Sequence, residues 1–382
     1  MKLLLVGCGG YAAGYVRELF SPLNDAGHTI EGIVDPYADR SPVIDLIREK
    51  GIPVYDTLEA FYEKHTAPVA IICTPIGLHL EQALTCFRHG SHVLMEKPLA
   101  ATSELCRKII DAAKTFGKML GVGYQLCYDP IMLDLKKRIE AGEFGKALSM
   151  KALILWQRTH AYYARSGGWA GHILLPDGTP VYDSILTNAT CHYLMNMLWL
   201  TTPGFDTQSA LSVEAQLGRV YPIETFDTAA ARFQLPCGCE GMVFASHVAG
   251  DAQEQSPTMD YQFEKASIHI EPIRGKGSFL TLTDADGVHE LGFLRENVLY
   301  KTLQFIRCIE DDLPLTCPGE AGLATVETYE RLFENGLPDV ENIQPVISEE
   351  KQLWSPAVGG VMRAAHAQMK LPRELGMQYS GE

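Results

Sequence analysis

The sequence predicts an α/β protein in two parts. The first is a parallel sheet covered by helices on both faces, and the second is an α+β part built on a large, mainly antiparallel sheet. Three observations carry this. Short apolar runs alternate with helix-period segments over the first third of the chain. Long segments of alternating polarity dominate from about Gly145. The length of 382 residues supplies material for two cores.

Taken in order, KLLLVG opens the chain as a buried strand and a helix follows to about Leu19. TIEGIVD is a second strand ending at Asp35, and VAIICTP and HVLMEKP are later strands closed by Pro75 and Pro98. Between and after them, GLHLEQALTCFRHG and TSELCRKIIDAAKTFG place apolar residues three and four apart, as a helix requires. The second has Thr102 as N-cap and Gly117 as its stop. KMLGVGYQ reads as a further strand, and the boundary is expected between residues 123 and 124. Beyond it, ALSMKALILWQ, SALSVEAQLGRV, TFDTAAARFQLP, CEGMVFASHV, YQFEKASIHIEP and FLTLTDADGVHEL read as strands, with Asp286-Gly287 marking a hairpin. Helices are expected at about 186–200, 297–311 and 318–335, packed on one face of this sheet.

Composition narrows the function classes. The net charge of −15, without a run of lysines and arginines, excludes a phosphate-tracking surface, so no nucleic-acid partner is expected. The ten cysteines show no zinc-like pairing of CxxC elements, so no metal is expected and a reduced, cytoplasmic setting fits. Cys237-Gly238-Cys239 is their closest spacing. MKLLLVG is too short an apolar run for a secretion signal, and no run approaches the ~20 apolar residues of a membrane span.

Gly7-Cys8-Gly9-Gly10-Tyr11-Ala12 fits G-x-G-x-x-A at the first strand–helix turn. Its glycines let the backbone turn tightly and approach a pyrophosphate resting on helix-terminal N–H groups. Asp35, at the end of the second strand, falls where a carboxylate bonds a ribose, and it would repel a 2′-phosphate. Read alone, Asp35 also caps the turn through Pro36. Together the two features predict a Rossmann domain over 1–123 that binds NAD. Thr74, Pro75 and His79 follow another strand end and should border the dinucleotide.

Lys97 follows the next strand, at the same carboxyl edge. Alcohol oxidation develops negative charge on oxygen, and a fixed cation beside it stabilises that charge. Glu96 is placed to orient a ribose or Lys97; an isolated Glu-Lys-Pro is equally a solvated strand end. In YDSILTNATCHYLMNMLWL, Asn188 and His192 are four apart on the expected helix and hence share a face. The stretch from Leu155 to Ser184 is rich in Arg158, Tyr162, Tyr163, Arg165, Trp169 and His172. Arg158, Tyr163 and Trp169 are the candidates for gripping a pyranose, an aromatic contact between subunits being the other reading.

The ordered set Gly7–Ala12, Thr74-Pro75 with His79, Glu96-Lys97-Pro98, GYQLCYDP, EAGEFGK and the helix bearing His192 resembles the Gfo/Idh/MocA oxidoreductases, relatives of glucose–fructose oxidoreductase and inositol dehydrogenase. The resemblance covers roughly the first half of the chain. It implies an NAD(P) enzyme of sugars or cyclitols, a second domain over 124–382 for substrate binding and oligomerisation, and a homodimer or homotetramer. It implies that Lys97 contacts the reacting hydroxyl, that His192 exchanges its proton, and that Gln125 borders the cofactor. The family's Asp-x-Gly-x-His becomes Asn188-Ala189-Thr190-Cys191-His192 here, so a role resting on that Asp does not transfer. An arginine common in relatives is Cys127.

Three functions remain in view. The first is an NAD-dependent dehydrogenase of a sugar, glycoside or cyclitol. The second is a redox-neutral glycosidase that oxidises a ring transiently, eliminates the aglycone and recycles its NAD. The third is a non-catalytic dinucleotide sensor, which has no need of a proton-transfer pair.

Overall fold

The computed structural model describes residues 1–24, 26–164, 168–249, 257–295, 297–334, 339–345, 347–348 and 352–380. They form two compact units, Met1–Asp129 with Arg295–Leu323, and Pro130–Leu294 with Ala324–Glu382.

The first unit holds six strands, β1 Lys2–Val6, β2 Thr29–Val34, β3 Val54–Tyr55, β4 Val69–Ile72, β5 His92–Met95 and β6 Leu120–Val122. They lie in the order β3-β2-β1-β4-β5-β6, and every pairing is parallel. Leu3 to Val6 and Val69 to Ile72 are buried without exception, as a sheet covered on both faces demands. The covering helices are α1 Ala12–Leu19, α2 Ile44–Glu49, α3 Leu58–Tyr62, α4 His79–Arg88 and α5 Ser103–Thr115. Thr102 caps α5 by accepting from Leu105 N–H, and Gly117 follows its end at φ 61°.

The second unit contains α6 Pro130–Glu140, β7 Ala147–Leu155, α7 His160–Tyr163 and α8 Cys191–Thr201. Then come β8 Ser212–Arg219, β9 Thr228–Gln234, β10 Glu240–Ser246, β11 Thr258–Phe263, β12 Ser267–Ile273, β13 Gly277–Asp284 and β14 Gly287–Phe293. After them the chain forms α9 Val298–Glu310, α10 Gly319–Glu330, β15 Val340–Asn342 and α11 Pro356–Gln368. Nine strands make one sheet in the order β14-β13-β12-β11-β7-β10-β9-β8-β15. It is antiparallel except where β10 pairs with β7 and β15 with β8. The expected hairpin joins β13 to β14 one residue early, its two-residue turn being Ala285-Asp286, with Gly287 opening β14.

Two features differ from the sequence reading. The helix near 297–311, expected with the second part, is α9 of the first unit. Asn297 caps it by accepting from Tyr300 N–H. A side chain at Gly121 would meet the Phe305 ring at 2.7 Å, so the bare glycine is what lets α9 lie against β6. Periodicity reveals a helix but not the sheet it docks on. The second difference is that helices cover both faces of the large sheet, not one. A Cβ on Gly241 would lie 3.3 Å from Met197 of α8, whereas its β10 neighbours Met242 and Phe244 cluster with Val358, Met362 and Ala365 of α11. Successive strand residues face opposite ways, so α8 and α11 lie on opposite sides.

Candidate functional site

Register in the first sheet assembles an edge. Val6 stands opposite both Val34 and Ile72, Ile72 opposite Met95, and Met95 opposite Val122. Five strands therefore end level. The residues leaving them, Gly7, Asp35, Cys73-Thr74, Glu96-Lys97 and Gly123, emerge side by side at the carboxyl ends flanking the β1/β4 switch in strand order. Open parallel sheets bind ligands at that location.

Gly7 sits at φ 91°, and a Cβ there would lie 2.6 Å from the Cys73 carbonyl oxygen, so only glycine fits. Gly9 and Gly10 have open space where side chains would be, and α1 begins directly after Tyr11. Asp35 caps its own turn and is also tied to the glycine turn. One carboxylate oxygen accepts from Tyr37 N–H at 2.9 Å, capping its own turn, and the other accepts from Cys8 N–H at 2.9 Å, tying itself to the glycine turn. It remains partly exposed there.

His79 stands behind the edge and not on it. It is 1% exposed, and its ring nitrogens lie 3.1 Å from the Leu99 carbonyl and 3.0 Å from that of Thr74. Burial holds its pKa below the ordinary histidine value. It joins the loop after β4 to the loop after β5, a positioning task that contact with a dinucleotide would not allow. The Thr74 hydroxyl is bonded to Gln82 Oε1.

Glu96 points inward, to a partner the sequence reading missed. Lys301 of α9 is fully buried and donates to Glu96 Oε1, to the Tyr11 hydroxyl at 3.2 Å and to the Gly123 carbonyl at 3.3 Å. The Tyr15 hydroxyl donates to the same carboxylate at 2.5 Å. Burial pulls the Lys301 ammonium toward neutrality, but Glu96 and Tyr11 outweigh it and the net shift is upward. Tyr11 in turn donates to Gln125 Oε1 at 3.1 Å. Tyr11, Glu96, Gln125 and Lys301 thus form one network under the glycine turn, and Glu96 is committed to it and not to a ribose. Lys97 extends from the strand end, partly exposed, beside a cis peptide to Pro98.

In the second unit, the segment expected as one helix is two pieces. Ser184 caps a π-turn over Ile185–Ala189, the chain breaks at Thr190, and α8 starts at Cys191. Asn188 and His192 flank that break, so spacing along a regular helix does not decide how they face. Asn188 Nδ2 donates to Asp183 Oδ1 at 2.8 Å, and Asp183 Oδ2 accepts from Gly171 N–H at 2.7 Å. Asp183 is 5% exposed and was not singled out from sequence; the preceding Tyr182 at φ 44° marks the strained turn that inserts it. This carboxylate links Asn188 to the loop that carries Trp169 and His172.

Arg158 and Tyr163 follow the end of β7. The Arg158 guanidinium lies 4.9 Å from the Tyr162 ring centre and 5.8 Å from that of Trp156. The Tyr163 hydroxyl and His247 Nδ1 are 2.8 Å apart, and His247 directly follows β10, which runs parallel to β7. Burial raises the Tyr163 pKa. His247 was also missed, since one histidine in a strand-rich stretch gives no local signal. Arg165 lies outside the described residues. Among the described residues, no helix is long and apolar enough to cross a membrane.

Residues 1–124 match an oxidoreductase family described as having an NAD-binding Rossmann fold. Among curated proteins, the chain is 27% identical over 242 residues to inositol 2-dehydrogenase 2 of Saccharopolyspora erythraea, an alignment covering 59% of this chain and 66% of that one. It is 26% identical over 201 residues to inositol 2-dehydrogenase of Klebsiella pneumoniae, covering 52% of this chain and 54% of that one. The matches thus leave a third or more of these relatives' length unspanned. The fold is similar to a Bordetella pertussis WlbA dehydrogenase crystallised with NADH and UDP-GlcNAcA, with 20% identity, TM-score 0.69 and coverage of 87% and 95% of the two chains. It is also similar to an Agrobacterium radiobacter oxidoreductase crystallised with NAD+, L-tartaric acid and magnesium, with 17% identity, TM-score 0.70 and coverage of 88% and 97%. The glycine turn, Asp35 and Glu96-Lys97-Pro98 all lie within residues 1–124, the part of the chain that is similar to the Gfo/Idh/MocA oxidoreductase family.

Proposed function

We propose that this chain is an NAD-dependent oxidoreductase that transfers a hydride between a ring hydroxyl of a sugar, glycoside or cyclitol and the nicotinamide. The supporting observation is the register that delivers the glycine turn, Asp35, Thr74 and Lys97 to one edge. The residues there fit a dinucleotide. The space beside Gly9 and Gly10 and the N–H groups opening α1 would receive a pyrophosphate, and Asp35, already anchored to Cys8, would receive ribose hydroxyls and disfavour a 2′-phosphate. Thr74, Pro75 and Gln125 would border the same group.

NAD, when bound, supplies the hydride acceptor. Lys97 stabilises negative charge on the reacting oxygen, and His192 exchanges that oxygen's proton. Asn188, held by Asp183, hydrogen-bonds a substrate hydroxyl; Arg158, Tyr163 and Trp169 supply a donor fork and aromatic faces. The names of the relatives and structural neighbours, inositol and UDP-sugar dehydrogenases among them, support the substrate class. A cytoplasmic homodimer or homotetramer is part of the proposal.

The experiment compares wild type with Lys97→Ala, reading NAD affinity by titration calorimetry and turnover by NADH absorbance. Equal affinity with turnover lowered about 10²–10³-fold is expected, as for loss of one charge-stabilising donor. Unchanged turnover, or no NAD binding by wild type, overturns the reading. The second reading is an NAD-recycling glycosidase, with Tyr163, its hydroxyl 2.8 Å from His247 Nδ1, and Tyr162 as candidate acids or bases. In that case aglycone is released without NADH accumulation.

A further inference from the structure

The hairpin joining β9 to β10 carries chemistry that the oxidoreductase reading does not use. Leu235 N–H bonds the Cys239 carbonyl at 2.9 Å and Gly238 N–H bonds the Leu235 carbonyl at 2.9 Å, closing a three-residue loop of Pro236, Cys237 and Gly238. Gly238 takes φ 91°, the left-handed position that such loops give to glycine. The fold thereby sets two cysteines, two apart in sequence, with their sulfurs 3.4 Å apart. Cys237 is exposed and Cys239 is buried.

Nothing similar holds for the other cysteines. Eight are buried or half-buried within the two units, and burial pushes the thiols of Cys8 and Cys86 up to about 12 and raises those of Cys73 and Cys308. The turn does the opposite to Cys237. The hydrogen bond shared with the Cys239 side chain, aided by Thr201 at the end of α8, lowers its pKa to about 6, whereas that of Cys239 is raised. An exposed thiolate with a protonated thiol at van der Waals distance is the arrangement of an attacking and a resolving cysteine.

We propose that Cys237 and Cys239 form a hydroperoxide-reactive dithiol that cycles between two thiols and an intramolecular disulfide. The Cys237 thiolate attacks one oxygen of hydrogen peroxide; the O–O bond breaks, one water leaves after protonation, and Cys237 becomes a sulfenic acid. The Cys239 sulfur then attacks the Cys237 sulfur, the S–O bond breaks, and a second water leaves as the S–S bond forms. Two thiols lose two electrons and one peroxide becomes two waters. Low-molecular-weight thiols reverse the step by exchange, attacking first at the exposed sulfur. The sulfurs must approach to about 2.05 Å, a movement for which Gly238 supplies the backbone freedom.

The test uses the full chain, reduced, desalted and exposed to micromolar hydrogen peroxide. Remaining thiols are alkylated at intervals and the protein digested with trypsin. Residues 233–265 form a tryptic peptide with Cys237 and Cys239 and no other cysteine. The expected result is that this peptide loses two hydrogens roughly tenfold faster than any other cysteine reacts, and that dithiothreitol restores it. In Cys239→Ser, dimedone should trap a sulfenic acid at Cys237. In Cys237→Ser, Cys239 should react no faster than the buried cysteines. Circular dichroism confirms that both turn variants are folded. Oxidation of Cys237 at the pace of the other thiols, or only between two chains, overturns the proposal. Neither result depends on NAD or sugar turnover.

Discussion

Lys301→Met removes the cation from a buried network while keeping the aliphatic bulk of the side chain. Glu96, 5% exposed, then retains the Tyr15 hydroxyl but loses its ammonium partner, and Tyr11 and the Gly123 carbonyl lose a donor. Breaking a buried pair from one side costs about 3–5 kcal/mol, because the remaining charge stays desolvated. For a unit of this size that is a fall in melting temperature of about 6–20 °C. Glu96→Gln added to Lys301→Met removes the stranded charge and should restore part of the loss at pH 8. Thermal unfolding followed by circular dichroism at pH 8 decides the matter. A loss under about 1 kcal/mol at pH 8, or a double variant no more stable than the single, refutes the reasoning.

Asp227 is fully buried, and burial pushes its pKa up to about 6 although Val220 N–H, Tyr221 N–H and the Thr228 hydroxyl bond its carboxylate. Its folded value lies above its unfolded one, so the stability present below about pH 4 declines as pH rises to about 6. The decline is about 3 kcal/mol, and urea unfolding of Asp227→Asn should lack that slope. Gly7→Ala combines strain at φ 91° with a 2.6 Å clash at Cys73, whereas Gly142→Ala meets φ 75° in open space. Both should lose about 1–3 kcal/mol to strain, with Gly7→Ala losing more and also losing NAD affinity; equal losses and equal affinity contradict the close approach.

The first sheet was legible because its strands announce themselves. Leu3–Val6, Val69–Ile72 and Val93–Met95 are continuous apolar runs closed by glycine, proline or charge, and only doubly covered strands tolerate that composition. The glycine turn and Asp35 were legible for a similar reason, as backbone geometry restricts which residues can stand there. What sequence hides is long-range docking. Lys301 lies three residues after Val298 and four before Phe305, on the buried stripe of α9, and a lysine on an apolar stripe was the one available signal. Its partner Glu96 is 205 positions away, beyond any periodicity. The break at Thr190 was hidden too, because TNATCH carries neither glycine nor proline, and the π-turn is held by Ser184 and Thr187 capping each other. Asp183 acquires its meaning only once that turn brings Asn188 beside it.

The most direct test of the central claim is mass spectrometry of the purified chain incubated with NAD and a panel of pyranosides, free sugars and inositols, with NADH followed by absorbance. The expected result is a product two hydrogens lighter than one panel member and NADH formed in equal amount. Tight NAD binding with every panel compound recovered unchanged would contradict it and leave a dinucleotide sensor in its place.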